Sequence, residues 1–454
     1  MSGFFDRARS VAPPGYHRGL IPPAALAVHL SIGSAYAFST FNLPLTHLLG
    51  GAQPSPDEWT IPEILWIFSI AIAFLGISAA VFGRWAERAG PRQAMFVAAC
   101  CFGGGFLVAA LGVVWHQLWL IYLGYGVLGG CGLGIGYISP VSTLIKWFPD
   151  RPGMATGIAI MGFGGGAFIA GPLSVSLMAS FRSATSSGVA ETFVVMGIAY
   201  FVMMSFGALI VRVPPEGWQP EGWVAPATPQ KMITTANVTA AMALRTPQFY
   251  LLWIVLCMNV TAGIAVLAQA SPMLQESFKD ISAAAAAGFV GLLSLFNMAG
   301  RFFWSSTSDY IGRKTTYICF FVIGIVLYWF APRLAESGSL ALFVLAMCII
   351  LSMYGGGFAT IPAYLRDMFG GLQVGAIHGL LLTAWSVAGV LGPLLIGQLR
   401  AYEASLGMKG AELYATTLHV MCGLLLIGLI ADLLVRPVDP RYHDRSTQQP
   451  EIGR

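Results

Sequence analysis

Long apolar runs alternate along this chain with short charged or Pro/Gly-rich breaks, and the alternation predicts twelve helices. They fall at roughly 20–42, 63–84, 93–114, 118–146, 153–180, 191–212, 248–274, 283–306, 314–332, 339–365, 374–399 and 413–435. A membrane-spanning helix takes about 20 residues, and these runs have that length. The one long polar gap inside the chain, 213–247, carries Pro214, Pro215, Pro220, Pro226 and Pro229. It reads as a linker between an N-terminal six-helix bundle in 1–212 and a C-terminal six-helix bundle in 248–436, with 437–454 as a tail.

The two halves repeat each other. Gly83-Arg-Trp-Ala-Glu-Arg-Ala-Gly-Pro-Arg92 and Ser305-Ser-Thr-Ser-Asp-Tyr-Ile-Gly-Arg-Lys314 both follow the second helix of their half, at 305 − 83 = 222 residues apart. Pro140 and Pro362 repeat the spacing (362 − 140 = 222), as do Gly157 and Gly379. Internal repeats of this kind build many transporters, with the site between the halves near the membrane midplane. The expected fold class is therefore an all-α membrane protein of twelve transmembrane helices in two pseudo-symmetric bundles.

Composition narrows the class further. Only 10% of the 454 residues are charged and the mean hydropathy is +0.73, against about 25% charged in soluble domains. The net charge of +4 is too small to imply nucleic acid. All seven cysteines lie in apolar stretches without a CxxC pair, so no metal, cofactor or disulfide framework is expected. Eighteen Lys and Arg fall in loops on the side of the N-terminus, and five (Arg182, Lys279, Arg333, Arg400, Lys409) on the other. That bias places both termini in the cytoplasm.

One cation does not fit a loop. Arg301 lies inside the eighth apolar run, and a guanidinium cannot escape burial by losing its proton. Insertion scales set the cost at about 2.5–3.5 kcal/mol. Such a residue faces protein or a water-filled cavity and has a partner. No Asp or Glu stands deep in any predicted helix, since Glu63 and Asp432 lie near helix ends. An exogenous carboxylate is therefore the expected partner, set against a structural role capping carbonyls. Asn297 shares the face of Arg301 one turn earlier. The Gly-rich runs 129–136, 162–166 and 355–357 lack the strand and Gly-Lys-Ser/Thr of a phosphate loop and read as helix-packing sites. No metal-ligand cluster, nucleophile elbow or carboxylate pair suggests an enzyme.

The two acidic-Gly-basic turns resemble the signature loops of the major facilitator superfamily. That resemblance covers essentially the whole chain and implies alternating access and a monomer. Its loops, here Gly83, Glu87, Arg88, Gly90 and Asp309, Gly312, Arg313, Lys314, would latch helix ends through ion pairs. Glu87, Pro91 and Ser305 depart from the usual pattern. A narrower set is similar to the oxalate/formate antiporter family and its monocarboxylate-carrier branch: Asn259-Val-Thr-Ala-Gly263, Phe296-Asn-Met-Ala-Gly-Arg301, Lys146–Gly157, Gly355–Tyr364 and Gly379–Trp385.

In that family the matching arginine pairs with a substrate carboxylate. The oxalate exchanger has a helix-11 lysine where Trp385 stands here, so one carboxylate suits this chain better than two. The resemblance implies a bacterial inner-membrane carrier of small monocarboxylates such as pyruvate, lactate or formate, by proton symport or anion exchange. An oxalate/formate-type exchanger, a carrier of another solute and a transporter-like carboxylate sensor are the alternatives. The candidate substrate shell is Arg301, Asn297, Tyr36, Tyr137, Phe358, Trp385, Gln269 and Asn259. The membrane histidines His29 and His378 are proton-coupling candidates. Each also has an ordinary reading as a packing or hydrogen-bonding residue.

Overall fold

The computed structural model describes residues 6–49, 57–183, 186–223, 232–278 and 281–444; part of the linker and the tail beyond 444 lie outside them. Among the described residues twelve helices are long and apolar enough to cross a membrane: α1 Arg18–Leu45, α2 Ile61–Ala89, α3 Pro91–Val114, α4 Leu118–Trp147, α5 Pro152–Phe181, α6 Val189–Ile210, α7 Pro247–Ser277, α8 Ala283–Ile311, α9 Arg313–Glu336, α10 Leu340–Phe369, α11 Val374–Ser405 and α12 Glu412–Leu434. An even number of spans returns the chain to the face on which it began, called here the terminal face.

Several helices run further than the apolar pattern predicted. Helix α2 continues through Arg84, Glu87 and Arg88 to Ala89, and α8 through Asp309 to Ile311. The charged groups extend past the apolar zone and do not stop the helix. What stops each is a glycine at positive φ, Gly90 (89°) and Gly312 (87°), a conformation that costs other residues more.

The linker ends are each fastened to one bundle. Val213 pairs with Ser10 and Ala12 of the N-terminal arm. Thr234 and Val238 donate to the carbonyls of Asp367 and Phe369 at the end of α10.

Between the bundles, α5 lies against α8 and α2 against α11. Glycine makes the first approach close. A Cβ on Gly157 would stand 2.9 Å from the Arg301 carbonyl oxygen, and one on Gly164 would stand 3.1 Å from Arg301 Nε. The same two faces separate further on. Phe168, one turn past Gly164, is 62% exposed, and Gly291 of α8 has open space around it. Gly389 of α11 still meets Ile72, whereas Gly397 meets nothing. The bundles are thus closed at the terminal face and part toward the other.

Two carboxylates hold the closed end. Asp309 accepts the backbone N–H groups of Gly153 (2.9 Å) and Met154 (2.8 Å) at the start of α5. Glu87 accepts that of Gly375 (3.0 Å) at the start of α11. Acceptor and donor both obey the repeat: 309 − 87 = 222 and 375 − 153 = 222. A carboxylate at a helix N-terminus meets unsatisfied donors and the positive end of the dipole. The ion pairs expected to latch these loops lie inside each bundle instead: Lys146–Glu87, Arg313–Asp309 and Arg313–Asp367. Lys314 donates to the carbonyls of Leu433 and Val435, closing the end of α12, and Gly83 packs on Ala376. Arg88 takes no part in these pairs.

Candidate functional site

Arg301 sits where the seam begins to open, and it is wholly buried. Its Nε donates to Asn297 Oδ1 at 3.2 Å, the one-turn pairing expected from i and i+4. Its Nη1 donates to the Ile160 carbonyl of α5 at 3.2 Å, so it does cap one carbonyl, across the bundle seam. Its Nη2 has no hydrogen-bond partner. No carboxylate pairs with it among the described residues. Asp367, Asp432 and Glu403 are buried, but each lies in the last turns of its helix, and Asp367 and Asp432 bond elsewhere.

Aromatic rings surround the guanidinium. Its carbon stands 5.3 Å from the Phe358 ring centre and 5.6 Å from that of Phe163, within cation–π range. Phe163 in turn touches Tyr36 (5.1 Å), Tyr137 (5.5 Å) and Trp385 (5.2 Å). Trp385 lies tilted against Phe358 at 4.4 Å, and Tyr354 lies 5.3 Å from Phe358. Tyr36 of α1 and Tyr354 of α10 share a 3.1 Å hydroxyl contact between bundles. Tyr36 is half-buried while Tyr137, Phe163, Phe358 and Trp385 are fully buried, so the group is covered from the terminal face and approached past Tyr36.

The polar atoms of this box are under-used. The Tyr137 hydroxyl, the Trp385 indole N–H and both ring nitrogens of His378 have no hydrogen-bond partner, like Arg301 Nη2. Buried polar groups are ordinarily paired, because an unpaired one costs about 1–3 kcal/mol. The guanidinium, phenol and indole all donate, and a carboxylate is the acceptor that answers a donor-rich, cationic, apolar-walled site. His29 Nε2 meets the Tyr137 carbonyl oxygen at 3.2 Å. The Tyr137 ring contacts both His29 (5.2 Å) and His378 (5.7 Å).

Six of the eight shell residues expected from sequence therefore come together: Arg301, Asn297, Tyr36, Tyr137, Phe358 and Trp385. Asn259 is adjacent, its Oδ1 against Gly357 and unpartnered, in a small cavity shared with Tyr328 and Tyr354. Gln269, half-buried further along α7, makes no hydrogen bond or ring contact with the group among the described residues. Sequence reasoning missed Phe163, Tyr354 and the Ile160 carbonyl. Two signals were present: Phe163 is the single large residue in Gly162–Gly166, and Tyr354 precedes Phe358 by one turn.

The sequence pattern of the Major Facilitator Superfamily matches residues 24–393, and again 263–454. This chain belongs to that superfamily. Among curated relatives, the oxalate:formate antiporter of Oxalobacter formigenes is 29% identical over 68% of this chain and 69% of its own length. The apicoplast pyruvate carrier 1 of Toxoplasma gondii is 22% identical over 72% and 67%. The solved proton:xylose symporter XylE superposes with a TM-score of 0.68 at 14% identity, covering 91% of this chain and 94% of that one, a likeness of fold alone. The family and fold are those of membrane transporters and not of enzymes. Among the described residues no cluster of His, Cys, Asp or Glu suited to a metal ion occurs.

Proposed function

We propose that this major facilitator protein carries small monocarboxylates, such as pyruvate, lactate or formate, with Arg301 as the anchor. The observation that carries the reading is a fully buried guanidinium with one nitrogen unpartnered and, among the described residues, no acid paired with it. A carboxylate entering past Tyr36 would meet Arg301 Nη2, with Tyr137 and Trp385 as further donors and Phe163 and Phe358 as apolar walls. Charge-assisted pairing would neutralise the guanidinium and lower the cost of closing the bundles over it. The empty, charged site would close less readily, which couples cargo to movement.

One cation and an indole at the centre favour one carboxylate over two. The relative named for oxalate and formate keeps a dicarboxylate exchanger as the second reading. His378 and His29, both in ring contact with Tyr137, are the groups through which a proton could accompany the anion. The excess of Lys and Arg on the terminal face supports a cytoplasmic location for it, in a bacterial inner membrane, with the protein acting as a monomer.

Counterflow in vesicles with formate, acetate, pyruvate, lactate, oxalate and malonate tests the reading. Monocarboxylates are expected to exchange and the two diacids not. Arg301→Ala and Arg301→Lys should both abolish uptake with normal insertion, since an ammonium does not reproduce the planar fork. Unchanged uptake in either variant refutes the anchor.

A further inference from the structure

The terminal face carries a second set of cations that the latch leaves unused. A cavity of about 200 Å³ opens there between the end of α2, the start of α11 and the linker, lined by Arg84, Glu87, Arg88, Thr239 and Gln373 among others. A water's share of liquid volume is about 30 Å³, so several waters or one phosphate group fit. Arg84 and Arg88 stand one turn apart on the same helix face. Both are exposed, and neither has an ion pair or hydrogen bond among the described residues. Glu87 does not neutralise them: one of its oxygens pairs with Lys146 at 2.6 Å and the other accepts from Gly375. The lining therefore keeps two uncompensated positive charges.

The internal repeat shows that these arginines are not part of the helix-capping device. Their counterparts 222 residues on are Ser306 and Tyr310, beside an Asp309 that caps α5 without a basic pair at those positions. The face of α2 leading to them is apolar and outward-facing: Ile77 is 49% and Val81 65% exposed. The series 77, 81, 84, 88 follows one helical stripe, which leaves the hydrocarbon and ends in two guanidinium groups. Lipid phosphates stand where the hydrocarbon ends, as this apolar stripe does, and guanidinium geometry suits a phosphate in bidentate fashion.

We propose that this cavity binds a phosphate-bearing anion, the headgroup of an anionic phospholipid, between Arg84 and Arg88. Both bundles and the linker line the cavity, so the bound headgroup favours the arrangement in which the terminal face is closed. The site is independent of the carboxylate reading, and its test uses no transport substrate.

The purified full-length protein is melted in detergent with increasing short-chain phosphatidylglycerol, with phosphatidylcholine of the same chain length, and with inorganic phosphate, all at matched ionic strength. Phosphatidylglycerol is expected to raise the melting temperature saturably and phosphatidylcholine not. R84Q/R88Q should raise the half-maximal phosphatidylglycerol concentration by about tenfold per arginine removed, with R84K/R88K in between. The single variants R84Q and R88Q carry the test if the double variant does not fold. A saturable response to inorganic phosphate, lost in R84Q/R88Q, supports the site with a soluble ligand as its source. An equal phosphatidylglycerol response in wild type and R84Q/R88Q, or no response to phosphatidylglycerol or to inorganic phosphate, overturns the proposal.

Discussion

Asp309→Asn isolates the energy that holds the terminal face shut. The substitution keeps size and one acceptor oxygen but removes the charge that receives two backbone N–H groups across the bundles, at 2.9 and 2.8 Å. Hydrogen bonds to a charged group contribute about 1.5–3 kcal/mol and neutral ones about 0.5–1.5; the N–H groups go to different oxygens, so one bond weakens by about 1–1.5 kcal/mol and the other, now facing the amide nitrogen, is lost at about 1.5–3 kcal/mol. The lost interaction with the α5 dipole adds about 0.3–1 kcal/mol more. With the Asp309 side chain only 10% exposed, solvent screening takes little of this away. The sum, about 3–5.5 kcal/mol, shifts the equilibrium toward opening at this face by a factor of about a hundred to ten thousand. Arg313 also loses one carboxylate, but Asp367 still holds it at 3.1 Å, so the C-terminal bundle should stay folded. Spin labels at exposed Glu216 and Tyr310, with native cysteines replaced, would report the separation by pulsed electron resonance. Asp309→Asn should populate a longer distance, and adding Glu87→Gln should make it dominant. An unchanged distribution in the double variant would refute the latch argument.

Other consequences are equally direct. Gly263→Ala places a methyl 2.3 Å from the buried Tyr354 ring; overpacking of this kind costs about 1–3 kcal/mol and should lower the melting temperature while displacing Tyr354 from Tyr36. His378→Gln removes a buried imidazole that makes no hydrogen bond, so stability should hold. If the ring carries the proton, a pH gradient will no longer drive uptake while counterflow persists, and gradient-driven uptake at the wild-type rate would exclude that role.

Much of this architecture is legible in the sequence because lipid imposes a simple rule on it: apolar for about 20 residues, or not a span. Arg301 stood out because a permanent charge breaks that rule, and Asn297 followed from helical spacing alone. Helix ends were read short wherever a charge came before the terminating glycine, as at Arg84 before Gly90. Phe163 and Tyr354 were harder to see, because an aromatic residue facing a guanidinium and one facing a neighbouring helix leave the same trace in a hydropathy pattern. The Ile160 carbonyl leaves none, since every residue carries one. The caps on α5 and α11 were likewise hidden: sequence shows an acid near a base and suggests an ion pair, whereas Asp309 and Glu87 spend their cross-bundle oxygens on peptide groups.

The bond from Arg301 Nη1 to the Ile160 carbonyl joins a side chain of one bundle to the backbone of the other. Rocking of the bundles about this seam would turn the guanidinium around a nearly stationary point instead of carrying it across the membrane. The electric field would then do little work on the protein's own charge. Voltage dependence of the cycle would report the valence of the cargo and any accompanying ion, which makes electrophysiology of reconstituted protein a direct count of what crosses with each carboxylate.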